Sequence, residues 1–438
     1  MNHNSYAAQM LDIEARSLLT RLARVKPFAL LEPMLPAAAI SAPAQRAIEG
    51  YLANGRRELR QRIHQFLGWL KTPAGRNASP VEAQGVFTLL RLRFNNVLSQ
   101  FDLFADVITQ RSEHETGVWL SGLDVAAADA LALPGYFTAP PVICYLDRGP
   151  GAAIRRARTR LPGGSESPVA IVRVPRERMV GSGIGSSLVH EVGHQAASLL
   201  ELVESLRPVL KGMQQSGGRE RVAWEFWERW ISEIVADFWS VARLGIGSTL
   251  GLMAVVSLPK AFVFRVTNDD PHPTPWVRVL LSCAVGRALY PHPQWDKVAR
   301  LWQSFYPATD LRPEITNLLQ TIMTTIPGFV ALLVNHRPRS LGGRSLAEVM
   351  KTQNRQPARL SAYYKAWQGQ PQQMRAAPPT LVFAVLGQAK MDSSLSPEQE
   401  SRMFAYLLTY WALQANLNEP GCGCTHKRAS ASVRRIPA

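Results

Sequence analysis

The chain has 438 residues, 46% of them hydrophobic and 19% charged, which excludes intrinsic disorder, collagen-like repeats and low-complexity filaments and supplies apolar material for two or three structural units. Its 49 Lys and Arg against 33 Asp and Glu give a net charge of +16, favouring acidic surfaces such as nucleic acid, anionic lipid or acidic proteins as partners. Four cysteines in a chain of this length exclude a disulfide framework.

The opening MNHNSYAAQMLDIEARSLL has no basic start, no unbroken apolar core and no small-residue cleavage site. It does not read as a secretory signal, and a cytoplasmic location is expected. Residues 1–116 read as an N-terminal helical region, with amphipathic helices over 10–24, 44–70 and 80–113, where apolar residues recur at spacings of three and four. One basic run, from Arg56 to Arg62, lies in the second of these.

From 117 to 175 the texture changes. Segments 141–146 and 169–174 are rich in Val and Ile and predict strands of a small sheet. Between them lies a Gly- and Arg-rich loop containing Arg155, Arg156, Arg158 and Arg160. No aromatic residue interleaves this run, as a stacking platform for single-stranded nucleic acid requires, so a solvated basic face is the simpler expectation.

After the glycines of 181–185 a helix is expected to start near Ser186 or Ser187, either of which can cap it, and to run to the region of Pro208. A second long helix is predicted over 220–243. The uncharged stretches 244–259 and 315–335 approach the composition of membrane spans. The first is short and glycine-rich, and the second carries Thr, Asn and Gln and a Pro327-Gly328 break, so both are expected to be buried helices and no membrane span is expected. Residues 291–416 form a C-terminal helical region broken by prolines, with a start signal at Ser396-Pro397-Glu398-Gln399-Glu400. Residues 417–438 read as a flexible basic tail. There Cys422, Cys424 and His426 make either half of a soft-metal site or part of an inert tail, whereas Cys144 and Cys283 sit in apolar surroundings as core residues.

The chemistry concentrates in His190-Glu191-Val192-Gly193-His194. On a helix, residues four apart share a face one turn apart, so the two imidazoles can converge on one metal ion. Glu191 lies one step round, able to take a proton from a water that the metal acidifies. Gly193 lets this helix pack closely against a neighbour. The best third ligand is Glu233, in Ile231-Ser-Glu-Ile-Val-Ala-Asp-Phe238, with Asp237 on the same helical face. In such a pair the first carboxylate can bind metal while the second fixes the tautomer of a ligand histidine.

The order His-Glu-x-x-His, then Glu-x-x-Ala-Asp, resembles the gluzincin metallopeptidases. Asp270-Pro-His-Pro-Thr-Pro-Trp-Val-Arg278 looks like the His-Pro-x-x-x-x-Arg element that follows those motifs in the CAAX prenyl endopeptidases and their soluble relatives. The resemblance covers roughly residues 167–281. It implies one zinc ion held by His190, His194 and Glu233, with Glu191 as general base and Asp237 in support. His272 or Arg278 would line the site and steady the oxyanion, with His292 a weaker competitor. It also implies that strand 169–174 pairs with an extended peptide as an added strand. The expected fold is α+β and predominantly helical, with a zincin-like core over 117–290 whose active-site helix lies beside the small sheet. The expected activity is that of a zinc metallopeptidase, endopeptidase before exopeptidase, acting on peptide or protein substrates. The alternatives are an inactive zincin-fold scaffold, against which an intact Glu191 argues, and a basic nucleic-acid-associated protein.

Overall fold

The computed structural model describes residues 3–25, 33–148, 152–161, 166–176, 183–267, 270–350 and 352–418. Helices longer than ten residues are numbered below. The N-terminal region contains α1 (His3–Arg24), α2 (Ala42–Trp69) and α3 (Pro80–Thr109); α2 and α3 lie close to the predicted bounds, whereas α1 begins well before the expected residue 10. Ser41 caps α2 by accepting from the Ala44 amide, and Ser79 and Glu82 form a reciprocal capping box at the start of α3. Their apolar stripes meet in a core of their own, which takes in Leu18, Leu22, Ile48, Leu52, Ile63 and the phenylalanines 87, 94 and 101.

Helix α4 (His114–Leu131) follows. It runs across the expected boundary at 116/117, because its small, apolar residues pack against both the sheet and the helix that carries the histidines. The sheet has three strands, β1 (Val142–Asp147), β2 (Ala153–Arg155) and β3 (Ala170–Pro175), in the order β1-β3-β2. β1 is parallel to β3 and β2 antiparallel to it. Alternate residues serve different cores. Ile143, Val169 and Ile171 join the N-terminal cluster, while Val142, Cys144, Val172 and Val174 join the main one. A sheet covered on both faces accounts for the unbroken apolar runs in its sequence.

This order corrects one expectation. β3 is the central strand, paired on both sides over residues 171–173, so an extended peptide cannot add to it. The outer side of β1 is closed by side chains. Gln110 exchanges two hydrogen bonds with the Leu146 backbone, at 2.8 Å each. Asp124 accepts from the Cys144 amide, and Arg111 donates to the Cys144 carbonyl. Arg111 and Asp124 are themselves a buried pair at 2.9 Å, so loss of either partner is expected to cost about 3–5 kcal/mol.

The rest of the described chain is α5 (Gly183–Leu199), α6 (Leu202–Ser216), α7 (Arg221–Leu244), α8 (Ile246–Val256), α9 (Pro275–Leu289), α10 (Gln294–Phe305), α11 (Pro313–Asn335), α12 (Pro357–Gly369), α13 (Pro379–Met391) and α14 (Pro397–Asn418). The single helix expected from Ser186 or Ser187 to about Pro208 is two helices. α5 starts at Gly183, and the chain turns at Glu201, which adopts a left-handed φ of 50°. Ser186 donates to the Ser248 carbonyl instead of capping, and Pro208 lies inside α6.

α8 is buried as expected. α11 is buried on one side only, through Leu319, Ile322, Ile326 and Phe329, with Asn317, Gln320 and Thr324 exposed. By length and composition it is the one helix among the described residues that could cross a membrane. The ring of Phe329 stacks on Trp227 of α7 at 4.5 Å, so the helices after 290 share the main core with those before it and do not form a separate unit. Cys144 and Cys283 are buried and free. Cys422, Cys424 and His426, with the tail from 419 on, lie outside the described residues.

α5 crosses α7 at Gly193. A Cβ there would stand 2.9 Å from the Ala236 Cα and 3.0 Å from the Ala236 carbonyl oxygen, backbone atoms that cannot swing aside. A Gly193→Ala chain is therefore expected to lose about 1–3 kcal/mol of stability in urea denaturation. Gly212→Ala in α6, where a Cβ meets nothing within 4 Å, should be neutral or gain about 0.5–1 kcal/mol. Equal effects at the two positions would contradict the close crossing.

Candidate metal centre

The crossing at Gly193 brings two ligand-bearing faces together. α5 supplies His190 and His194, whose rings lie 4.9 Å apart and nearly perpendicular. α7 supplies Glu233 and, one turn on, Asp237. One ligand atom from each of His190, His194 and Glu233 lies within 4.8 Å of the others. His190 Nε2 is 3.3 Å from Glu233 Oε2, and His194 Nε2 is 3.5 Å from Glu233 Oε1. The other nitrogen of His190, Nδ1, is 2.8 Å from Asp237 Oδ1. With that nitrogen donating to Asp237, Nε2 is left as the ligand atom.

Asp237 is held in turn by α9. Arg278 donates to it from Nε at 2.6 Å and from Nη2 at 2.9 Å, the two-pronged geometry that suits guanidinium to carboxylate. The same Nη2 lies 3.8 Å from Glu233 Oε2. Glu191 is 9% exposed, and it adds, after Asp237 and Glu233, to the negative charge that raises the Arg278 pKa against burial.

Two observations fit this group to a divalent cation. Glu233 is 8% exposed, and its Oε2 is buried without a hydrogen bond, although two imidazole nitrogens approach it to 3.3 Å. A buried carboxylate oxygen left in this way is costly unless a cation completes it. The charges also call for one. With His190 protonated near neutral pH by its contacts with Asp237 and Glu233, the carboxylates Glu191, Glu233 and Asp237 oppose that imidazolium and the guanidinium of Arg278, and three negative charges less two positive leave one to be balanced. Two imidazoles and a carboxylate form a donor set suited to zinc.

The titration of these groups follows from their contacts. Burial by itself lowers the pKa of His190, but Asp237 and Glu233 outweigh it and carry it up to about 9. Burial raises Glu233, and the two imidazoles more than reverse this, holding its carboxyl far below the ordinary range. Asp237, also raised by burial, is held low by Arg278 and His190.

His272 comes to the edge of the group from the segment before α9. Its Nε2 is 3.3 Å from Glu233 Oε2 and its side chain is 48% exposed. Asp270 accepts from the His272 backbone amide at 3.0 Å and lies 2.8 Å from its Nδ1. Asp270 had no expected role, although the spacing Asp-x-His is the signal of such a turn. His292 lies elsewhere, exposed at the start of α10, where its Nδ1 accepts from the Gln294 amide at 3.3 Å. The sequence thus brings together His190, Glu191, His194, Glu233, Asp237, His272 and Arg278 and leaves His292 out. A larger cavity of about 740 Å³ between α2 and α3, lined by Phe66, Trp69 and Leu90, shares no residue with this group. No protein-family model, curated protein or solved structure matches the chain.

An entering metal must displace the proton that His190 holds below pH about 9. Apparent zinc affinity is therefore expected to rise with pH, by about tenfold per unit between about pH 6 and 8, and to level off above the imidazole pKa. Competition against a chelator of known protonation checks this, and a flat profile would mean that the imidazole is already deprotonated. Asp237→Asn should weaken zinc roughly 10–100-fold at constant pH, read by the same titration.

Proposed function

We propose that the chain is a zinc metallopeptidase with a zincin-like core, related in its site to the soluble relatives of the CAAX prenyl endopeptidases. The observation that carries this reading is the convergence of His190, His194 and Glu233 about a carboxylate oxygen that accepts no hydrogen bond. The intact Glu191 beside them and the support of Asp237 and Arg278 add to it.

In this reading His190, His194 and Glu233 hold the ion, and Asp237 and Arg278 keep His190 in the ligand orientation. Bound there, zinc supplies Lewis acidity and makes a water acidic enough to lose its proton near neutral pH. Glu191 would be the base that accepts a proton from the attacking water and the acid that returns it to the leaving amine. His272, its ring fixed by Asp270 at 2.8 Å from Nδ1, would stand beside the negative charge developing on the carbonyl oxygen. Burial of Glu191 and Glu233 keeps competing water low and strengthens each of these interactions. The strand suited to receive an extended substrate is β2, the outer strand on the side away from β1.

The test pairs metal analysis with cleavage of a peptide library. Purified protein is expected to carry about one zinc ion per chain and to cleave a subset of peptides. Glu191→Gln should keep the zinc and lose about 10²–10⁴-fold in kcat/KM. A chain that takes up zinc but cleaves nothing would remove the peptidase reading, and one that takes up no zinc would remove the metal centre as well.

A further inference from the structure

Beside the metal group, on the side of His272 and Arg278, lies a cavity of about 200 Å³, room for a single residue of a substrate and too small for a cofactor. Its apolar walls are Val256, Leu258, Phe262, Pro273 and Pro275. Two of its polar residues are unusual. Trp230 is 1% exposed and Thr274 is 3% exposed, and both line the cavity. The Trp230 indole Nε1 and the Thr274 hydroxyl are buried without a hydrogen-bond partner. Each such group costs about 1–3 kcal/mol while unmade, and native structures keep few of them without a reason.

Thr274 stands at the N-cap of α9, where a hydroxyl normally accepts from the first-turn amides, yet its side chain makes no cap. The start of a fifteen-residue helix, with its free amides and positive dipole end, therefore faces this corner uncapped. Arg265 and Arg278 also line the cavity, Arg278 with its Nε and Nη2 already engaged by Asp237. The anion in the wall is Asp270, already engaged by His272 at 2.8 Å and lying 3.9 Å from Arg265. The indole N–H and the hydroxyl are left without a protein partner, and the helix N-terminus and Arg265 add positive character to the same lining.

We infer that this cavity binds a carboxylate of the substrate within one residue of the scissile bond. The carboxylate is either a free C-terminus or an acidic side chain, since both present the same two acceptor oxygens. The inference rests on the peptidase reading for its placement beside the bond to be cut. It makes Thr274 and Arg265 specificity-determining residues, with Trp230 shaping the floor.

The experiment uses the full chain, zinc-loaded and carrying Glu191→Gln so that ligands survive. Calorimetry compares acetyl-Ala-Leu as free acid, acetyl-Ala-Leu amide and acetyl-Ala-Glu amide. At least one carboxylate-bearing ligand is expected to bind about tenfold or more tightly than the Leu amide, and which one does so identifies the source. Adding Thr274→Val or Arg265→Ala should bring the Kd values together. Arg265 is more than half exposed, so its variant tests the site without disturbing the core.

Equal affinities for all three ligands, no binding at all, or a preference that survives both substitutions would overturn the inference. Cleavage of library peptides by the wild type with no carboxylate preference would leave the peptidase standing and this inference refuted. A carboxylate preference in a chain that cleaves nothing would do the reverse.

Discussion

The structure depends on the contact between Gly193 of α5 and Ala236 of α7. A glycine is needed there because the space for a Cβ is already filled by the backbone of the other helix. That approach sets the distance between two rows of side chains, and it is short enough for imidazole nitrogens to reach within 3.5 Å of a carboxylate. Had either helix carried larger residues at the crossing, the same histidines and acids would be present but too far apart to share an ion. The crossing is held from outside by Trp239, buried against α4 through a hydrogen bond to the Ala130 carbonyl at 3.0 Å, and by the stacking of α11 on Trp227.

Around that contact the molecule is arranged in two cores that meet at the sheet. The N-terminal helices cover one face of β1 and β3, and the helices that carry the site, together with those after residue 290, cover the other. The sheet is small, and its β1 edge is finished by Gln110, Arg111 and Asp124 rather than by another strand. The β1 edge is thus occupied by side chains, while β2 is the other outer strand. Gln195, one residue beyond His194, accepts from the Ala157 amide just after β2 at 2.7 Å, which ties the outer strand to the helix bearing the histidines.

The site itself carries unspent interaction. A buried carboxylate oxygen without a hydrogen bond, and an indole and a hydroxyl without partners, all raise the free energy of the folded chain. Binding sites are commonly less stable than they could be, because groups held ready for a ligand cannot satisfy one another. The basic arginines at 155, 156, 158 and 160 are exposed and form no part of this group, so the overall charge of the protein and the chemistry of its site are separate properties.

The sequence alone determined the local order. Periodicity located α2, α3 and α7 to within a few residues, because the spacing of apolar residues on a helix is written in neighbouring positions. Two histidines four apart and two acids four apart likewise announce one face each. Tertiary structure decided what depends on contacts distant along the chain. The break at Glu201 carries no glycine to mark it, since a left-handed turn is imposed there by the packing of the helices on either side. β3 became central because its partners come from segments before it on both sides, and strand order is not encoded in the composition of a strand. Asp270, Trp230 and Thr274 were silent in the sequence for a related reason: a hydroxyl or an indole reveals that it lacks a partner only when the chain has closed around it. The sequence could name His190, His194 and Glu233 as candidates, but only the fold could show that Arg278 grips Asp237, and that a cavity lined by Trp230 and Thr274 lies beside them.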